Sequence, residues 1–424
     1  MPPNARDIAV DALRDRSGNV SARLRRLAAA ANLSSADRGL AVELALGVVR
    51  RRGTLRAVLR AYLAQPKRQL PAPLGQIFHV ALYQMLFLDR VPHFAAVSEA
   101  VEQARRWHHR RQSGLVNGVL RAVQRELSAP QAGPPPRTPE AVPQNAGSYR
   151  TLGRAVFADS AADPPRYLAE AWSLPNVLAA RWIEREGLDG AVALAAHAAA
   201  RAPLILRVNR LRAQPDEVLQ RLADAGHPAR PHANGRSVVL ESAADVTALA
   251  VFRDGLVQPQ DAAATAAVDA VGVRPGMAVL DFCAAPGTKT THLAECMGNQ
   301  GRIVALDVSD DKLARVAENC ERLGVTIVQP LRAEQVGSLE PGSFDVVLAD
   351  VPCSNTGVLA RRPEARWRFD ERALPRLAAD QRDLASAAAA FVRPGGRLIY
   401  STCSIEPEEN EQVARGLGRR RTNV

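Results

Sequence analysis

The spacing of apolar positions changes along the chain, and the changes divide it. Over residues 1–128 hydrophobic side chains recur at three and four spacing, most clearly in 40–49, 77–88, 97–104 and 115–127, which predicts an all-α domain. Residues 129–160 contain Pro130, Pro134, Pro135, Pro136, Pro139 and Pro143 and few large apolar side chains, so they predict a flexible linker without a core of its own. Over 161–255 helical segments mix with short strand-like runs at 204–208 and 237–240, bounded by Pro, Gly and Asn; a small α+β domain is expected. From 256 onward strand-like runs at 278–283, 302–307, 344–350 and 397–402 alternate with helical segments, the pattern of a parallel, doubly wound α/β sheet. In the helix expected after Asp307, Ser309, Asp310 and Asp311 suit an electropositive start while Leu313, Val316, Ala317, Cys320 and Leu323 form one apolar stripe. Cys320 is thereby a core residue, and so is Cys296 beside Leu293.

Composition fits such a multidomain chain, with 47% hydrophobic and 23% charged residues, while 4% aromatic content implies aliphatic, alanine-rich cores. No apolar run reaches the length of a membrane span, and the first ten residues lack the apolar stretch of a signal peptide. The five cysteines all lie after residue 280 without a CxxC pair. That arrangement speaks against a disulfide framework and a zinc site, and predicts a reducing cytoplasm and no metal. Charge sharpens the picture. Residues 1–130 hold 21 Lys+Arg against 9 Asp+Glu, a balance of +12, whereas the remaining 34 against 35 give −1. A basic excess confined to the helical domain predicts a polyanionic partner, RNA or DNA; the alternative is compositional bias toward arginine, since only three lysines accompany it.

The first α/β strand runs into Asp281-Phe282-Cys283-Ala284-Ala285-Pro286-Gly287-Thr288-Lys289-Thr290, a turn of small residues that lets the backbone approach a ligand at a helix N-terminus. It is neither a P-loop nor a dinucleotide G-x-G-x-x-G motif. Twenty residues past Gly287, Asp307 closes the second strand, where an acidic residue accepts hydrogen bonds from a ribose diol. The combination favours an adenosyl ligand without pyrophosphate. Two later strands end in thiols: 344–350 leads into Val351-Pro352-Cys353-Ser354-Asn355-Thr356-Gly357, and 397–402 into Cys403-Ser404. Adjacent strands delivering one cysteine each to the ligand-binding edge of a sheet point to chemistry, because structural cysteines favour strand interiors.

These residues closely resemble the RNA cytosine-5 methyltransferases of the Nol/Nop/Sun type, through DxCAAPGxKT at 281–290, DxPCSxTG at 350–357 and STCSIxPEEN at 401–410. Gly114-Leu115-Val116-Asn117-Gly118-Val119-Leu120-Arg121 is similar to the NusB-like domain, and Leu206-Arg207-Val208-Asn209 with Gln260-Asp261 to the segment that follows it. The RsmB (Sun) branch has this architecture. The resemblance implies a NusB-like RNA-binding domain over 1–128, an RRM-like middle domain and a Rossmann-like methyltransferase domain over 256–424. It further implies S-adenosyl-L-methionine as cofactor, held by Cys283, Ala284, Ala285, Pro286, Gly287, Thr288, Lys289, Asp307, Lys312 and Asp350, and 16S ribosomal RNA as substrate of a cytoplasmic monomer. By the same resemblance Cys403 is the nucleophile, Cys353 assists release of the methylated base, and Asp350 hydrogen-bonds the base edge. Arg361, Arg362, Arg366 and Arg368, around Trp367, form a basic loop suited to phosphates and a splayed-out nucleotide.

The chain departs from the pattern in three places. Thr288 stands where glycine is usual, and 328–332 lacks the acidic residue that contacts the adenine side, for which Glu334 is the substitute. After Asn410 fourteen residues remain, ending in Arg419-Arg420-Arg421-Thr422-Asn423-Val424, where relatives continue through further strands; an exposed edge beside the fifth strand is expected. This shortening motivates the alternative of a NusB-like RNA-binding or assembly protein with an inactive, truncated methyltransferase domain. Amino-group methylation is disfavoured, because it commonly uses an Asp/Asn-Pro-Pro-aromatic turn in place of Asp350-Val351-Pro352-Cys353.

Overall fold

Residues 5–126 form helices α1 (Ala5–Arg14), α2 (Val20–Ala30), α3 (Ser35–Arg50), α4 (Arg52–Tyr62), α5 (Ala72–Phe87), α6 (His93–Arg106) and α7 (Ser113–Glu126). Helix α5 is apolar around most of its circumference, and a helix of that kind must be enclosed; Leu74, Ile77, Phe78, Leu82, Met85 and Leu86 are accordingly buried, with α1, α3, α4, α6 and α7 packed around it. This computed structural model describes residues 3–14, 20–65, 70–107, 110–242 and 244–421, so the terminal run 422–424 lies outside the described residues. It divides into two units, residues 1–201 with 356–371, and residues 202–355 with 372–424. Among the described residues no helix is long and apolar enough to cross a membrane.

The segment expected as a linker is folded. Strands β1 (Gln131–Ala132), β2 (Ala141–Asn145) and β3 (Ser148–Thr151) make an antiparallel sheet in the order β1-β3-β2. The Asn145 side chain closes the hairpin by accepting the Gly147 N–H at 2.7 Å, and Val142, Leu152, Val156 and Phe157 are buried. Buried arginines take over the task that apolar area performs elsewhere: Arg51 donates to the carbonyls of Pro143 and Gln144, and Arg150 to the Ser128 carbonyl and Asp89. Prolines therefore misled the expectation, since Pro139 supplies a carbonyl that accepts the N–H groups of both Val156 and Phe157. Helices α8 (Pro164–Ala171) and α9 (Asn176–Ala199), expected in the middle domain, belong to this first unit as well.

The returning segment 356–371 carries the predicted basic loop. Arg366 is fully buried and donates to the main-chain carbonyls of Arg50, Ser173, Ala198 and Leu359. It is a structural pin within the first unit, which corrects its assignment as an RNA contact. Trp367 donates its indole N–H to the Val49 carbonyl at 2.8 Å, and the Arg52 guanidinium lies over its ring at 5.1 Å. Arg362 and Arg368 are exposed and Arg361 half-buried. Arg366→Ala leaves four carbonyls without this donor and is expected to lower stability by roughly 3 kcal/mol, read from urea unfolding.

The second unit starts with a four-stranded antiparallel sheet ordered β5-β6-β4-β7, made of β4 (Leu204–Val208), β5 (Ala229–Pro231), β6 (Ser237–Leu240) and β7 (Val257–Pro259), with α10 (Pro215–Asp224) and α11 (Ala250–Arg253) between them. This is a ferredoxin-like β-α-β-β-α-β arrangement. It runs to 259 instead of 255, because β7 pairs with β4 and does not open the α/β repeat. Then follow α12 (Ala262–Val271), β8 (Ala278–Phe282), α13 (Thr288–Cys296), β9 (Arg302–Asp307), α14 (Asp310–Leu323), β10 (Val328–Arg332), β11 (Phe344–Asp350), α15 (Leu374–Ala389), β12 (Val392–Ser401) and α16 (Glu411–Arg421). The five strands are parallel in the order β10-β9-β8-β11-β12. Strand order thus reverses between β8 and β11, and the crevice beyond that switch point is where open α/β sheets bind ligands. Strand β12 is at the edge of the sheet among the described residues.

Candidate active site

The loops after β8, β9, β11 and β12 meet at this crevice, and strand register sets their relative height. Phe282 pairs with Ala349 and Leu306, and Asp350 with Ser401. Cys353 and Cys403 therefore leave neighbouring strand ends at nearly the same level.

After β8 the chain turns through Cys283, whose φ is +93°, and the N–H groups of Cys283 and Ala284 both donate to the Leu306 carbonyl. Gly287 has φ +90°, and a Cβ there would meet Val316 at 3.1 Å, so glycine is needed for both conformation and space. Asp307 is nearly buried; one carboxylate oxygen accepts the Ala285 N–H at 3.0 Å, the other the Val308 N–H at 2.7 Å and Lys312 Nζ at 3.1 Å. Acceptor capacity remains on the oxygen facing Ala285. Burial pushes the Cys283 thiol up to about 12, with Asp281, Asp307 and Asp350 adding to it; it shapes the turn as a protonated group. Glu334, expected on the adenine side, is exposed and pairs with Arg332 at 3.0 Å.

Asp281 was not singled out in the sequence. It is 1% exposed; one carboxylate oxygen accepts the Thr290 hydroxyl at 2.6 Å and the other, equally buried, has no partner. An unmatched buried acceptor at the end of the first strand is the mark of a missing donor. Burial raises this carboxyl to about 7, opposed by the Thr290 hydrogen bond, with Asp350 raising and Lys289 lowering it further. The folded protein thus holds a proton that the unfolded chain releases near 3.8, and the contribution to stability is full below about pH 4 and lost as pH rises through about 7. Unfolding of wild type and Asp281→Asn at several pH values in that window should show the downward slope only in the wild type.

Lys289 bridges two strand ends, its Nζ donating to Asp350 and, at 2.9 Å, to the Ser401 hydroxyl, which itself donates to Asp350 at 3.0 Å. The two sulfurs of Cys353 and Cys403 are 3.0 Å apart. Asn355 spans both loops: its amide donates to the Cys353 carbonyl at 2.7 Å, and its oxygen accepts from the Cys403 thiol at 3.3 Å. The hydrogen bond to Cys403 pushes the Cys353 thiol up, reinforced by burial.

A second residue missed in the sequence holds these loops together. Glu409 is fully buried, and its carboxylate accepts the Ser354 N–H at 2.8 Å, the Ser354 and Ser404 hydroxyls, and the Gln381 amide at 2.9 Å. Asn410 accepts the Thr402 hydroxyl at 2.7 Å and donates to the Ser404 carbonyl at 3.0 Å. Both residues belong to the quoted PEEN run, which marked them as a motif but not as a clamp.

Cys320 is buried as expected, whereas Cys296 is only partly so and packs against the same core. Cys296, His292 and Asp269 bring one ligand atom each within 4.8 Å of one another. Arg236 lies 3.1 Å from Asp269, and burial together with Arg207 and Arg236 holds His292 down to about 2; this positive field disfavours a cation.

Fold and site define a Rossmann-like methyltransferase with a paired-thiol crevice, preceded by a ferredoxin-like sheet and a NusB-type helical domain. Residues 270–424 match the family model described as 16S rRNA methyltransferase RsmB/F, residues 3–125 the NusB family, and residues 174–247 the RsmF/B-like ferredoxin-like domain. The probable ribosomal RNA small subunit methyltransferase B of Bacillus subtilis is 31% identical over 416 residues, covering 97% of this chain and 87% of the relative. The ribosomal RNA small subunit methyltransferase B of Escherichia coli is 33% identical over 381 residues, 89% of this chain and 81% of the relative. The chain belongs to the RsmB/F family of ribosomal RNA methyltransferases. The crystal structure of PH0851 shares the fold, at a TM-score of 0.75 and 24% identity over 99% of this chain and 90% of that one. A methyltransferase homolog from Pyrococcus horikoshii matches 59% of this chain and 81% of its own, with 29% identity and a TM-score of 0.52.

Proposed function

We propose that this chain, as a cytoplasmic monomer, methylates C5 of a cytosine in 16S ribosomal RNA with S-adenosyl-L-methionine, through a covalent adduct on Cys403. The observation that carries this reading is the pair of sulfurs 3.0 Å apart at adjoining strand ends, beside Asp350 and Lys289. The bound cofactor would supply an electrophilic methyl group. The turn from Cys283 to Lys289 would enclose its methionine part, with the unmatched Asp281 oxygen accepting from a cationic group, and Asp307, backed by Lys312, would accept from the ribose diol.

Cytosine C5 is a weak nucleophile until a thiolate adds at C6, which moves the C5–C6 π electrons onto C5. Cys403 forms that bond, with Asp350 at the base edge to hold the ring. After transfer the C5 proton must leave while the C6–S pair returns to Cys403. The hydrogen bond that holds Cys353 protonated depends on the Cys403 sulfur. Capture of Cys403 as a thioether weakens that restraint, so Cys353 can release its own proton to solvent and, as the thiolate, take the C5 proton as the C6–S pair returns to Cys403.

Incubation with 16S RNA or small subunits and methyl-labelled cofactor, followed by nucleoside analysis and bisulfite mapping, should yield 5-methylcytosine at one position. Label on an exocyclic amine would overturn the C5 assignment, and RNA binding without any transfer would favour the assembly reading. Reversing the charge at Arg361 and Arg362 is expected to weaken RNA binding while cofactor affinity is retained, compared by filter binding and calorimetry.

A further inference from the structure

The ferredoxin-like sheet sends one charged side chain into the interior of the second unit. Arg207 on β4 is 1% exposed, and all five of its N–H donors have acceptors. Nε and Nη2 hold the two carboxylate oxygens of Glu295 at 3.1 and 2.6 Å, Nη2 also reaches the Thr291 hydroxyl at 3.3 Å, and Nη1 donates to the Thr288 carbonyl at 3.0 Å and to Gln260. Thr288, Thr291 and Glu295 lie at i, i+3 and i+7 along α13, so one guanidinium grips one face of that helix over two turns. The remaining positions of its first turn serve the crevice: Lys289 reaches Asp350 and Ser401, and Thr290 reaches Asp281.

A buried ion pair is poor evidence of a stability requirement, because apolar residues of similar volume often replace one without loss. What apolar residues cannot reproduce here is the register of α13, fixed by four directional bonds, two of them to residues within the first turn. The turn that ends at Gly287 continues directly into this helix, and a shift of α13 displaces Lys289 and the turn together.

We propose that Arg207 is a positioning residue for the cofactor site, by which the ferredoxin-like sheet sets the axial register of α13 and thereby the geometry of the turn and of Lys289. This rests on the cofactor reading above. The test separates affinity from stability. S-adenosylhomocysteine binding by calorimetry and the unfolding midpoint are measured on the full chain for wild type, Arg207→Met, Arg207→Lys and the pair Arg207→Met with Glu295→Met. Arg207→Met alone should be strongly destabilised, since Glu295 is left buried without its counterion. The paired variant should recover most of the midpoint but bind S-adenosylhomocysteine about tenfold more weakly, a cost of about 1.4 kcal/mol. Arg207→Lys keeps the charge with three donors in place of five, and should fold and bind with an intermediate loss. Wild-type affinity in the folded paired variant, or in Arg207→Lys should the paired variant not fold, overturns the positioning role alone. A wild-type chain that does not bind S-adenosylhomocysteine overturns the cofactor reading and this inference with it.

Discussion

Cys403→Ala should reduce methyl transfer to 16S RNA by at least roughly 1,000-fold, with S-adenosylhomocysteine affinity unchanged, while Cys353→Ala should accumulate a protein–RNA adduct that survives denaturing electrophoresis. The contrast follows from the asymmetry of the pair. The contact with Cys403 pushes the Cys353 thiol up, and the proposed mechanism gives the attack to Cys403. Without Cys403 no electrons are pushed to C5, and the methyl group has no acceptor. Without Cys353 attack and transfer still proceed, but elimination lacks its assistant and RNA stays attached at C6. Near-normal turnover by Cys403→Ala would refute the covalent route, and adduct accumulation in Cys403→Ala instead of Cys353→Ala would exchange the two roles.

The thiol pair was legible in the sequence because its signal is local: two short motifs, each ending a strand, in a chain whose alternating pattern dictates a parallel sheet. The alternation does not set the order of that sheet, and the reversal between β8 and β11 that opens the crevice is seen only in the structure. What sequence reading missed are the buried charges. Arg366 reads as one of four basic residues in a loop, yet it is enclosed by carbonyls from residues as distant as Arg50 and Ala198. Arg207 and Glu295 are separated by 88 positions, and neither suggests the other. The hairpin at 141–151 was hidden by Pro143 and the prolines before it, because composition reports the backbone donors a segment lacks and not the carbonyls it offers.

Glu409 is the case with the largest consequence for catalysis, since its carboxylate ties together the two residues that follow the paired cysteines. Its donors are the Ser354 N–H, the Ser354 and Ser404 hydroxyls and the Gln381 amide, all neutral, and each serine directly follows one of the two cysteines. Removing the acceptor leaves these donors unmatched in a buried place and uncouples the Pro-Cys-Ser loop from the Thr-Cys-Ser loop. Glu409→Ala should therefore cost roughly 3 kcal/mol of stability and lower kcat on the order of 100-fold, the usual consequence of displacing a reacting group by about 1 Å. The cofactor KM should change little, because the turn after β8 and Asp307 after β9 are held by other bonds. Glu409→Gln keeps the shape and one acceptor oxygen, so it should lie between wild type and alanine in both kcat and unfolding midpoint. A Glu409→Ala enzyme whose midpoint falls while kcat is unchanged would show that the clamp supports the fold without positioning the thiols, whereas a parallel rise in cofactor KM would mean that the whole crevice, and not the sulfur pair, depends on it.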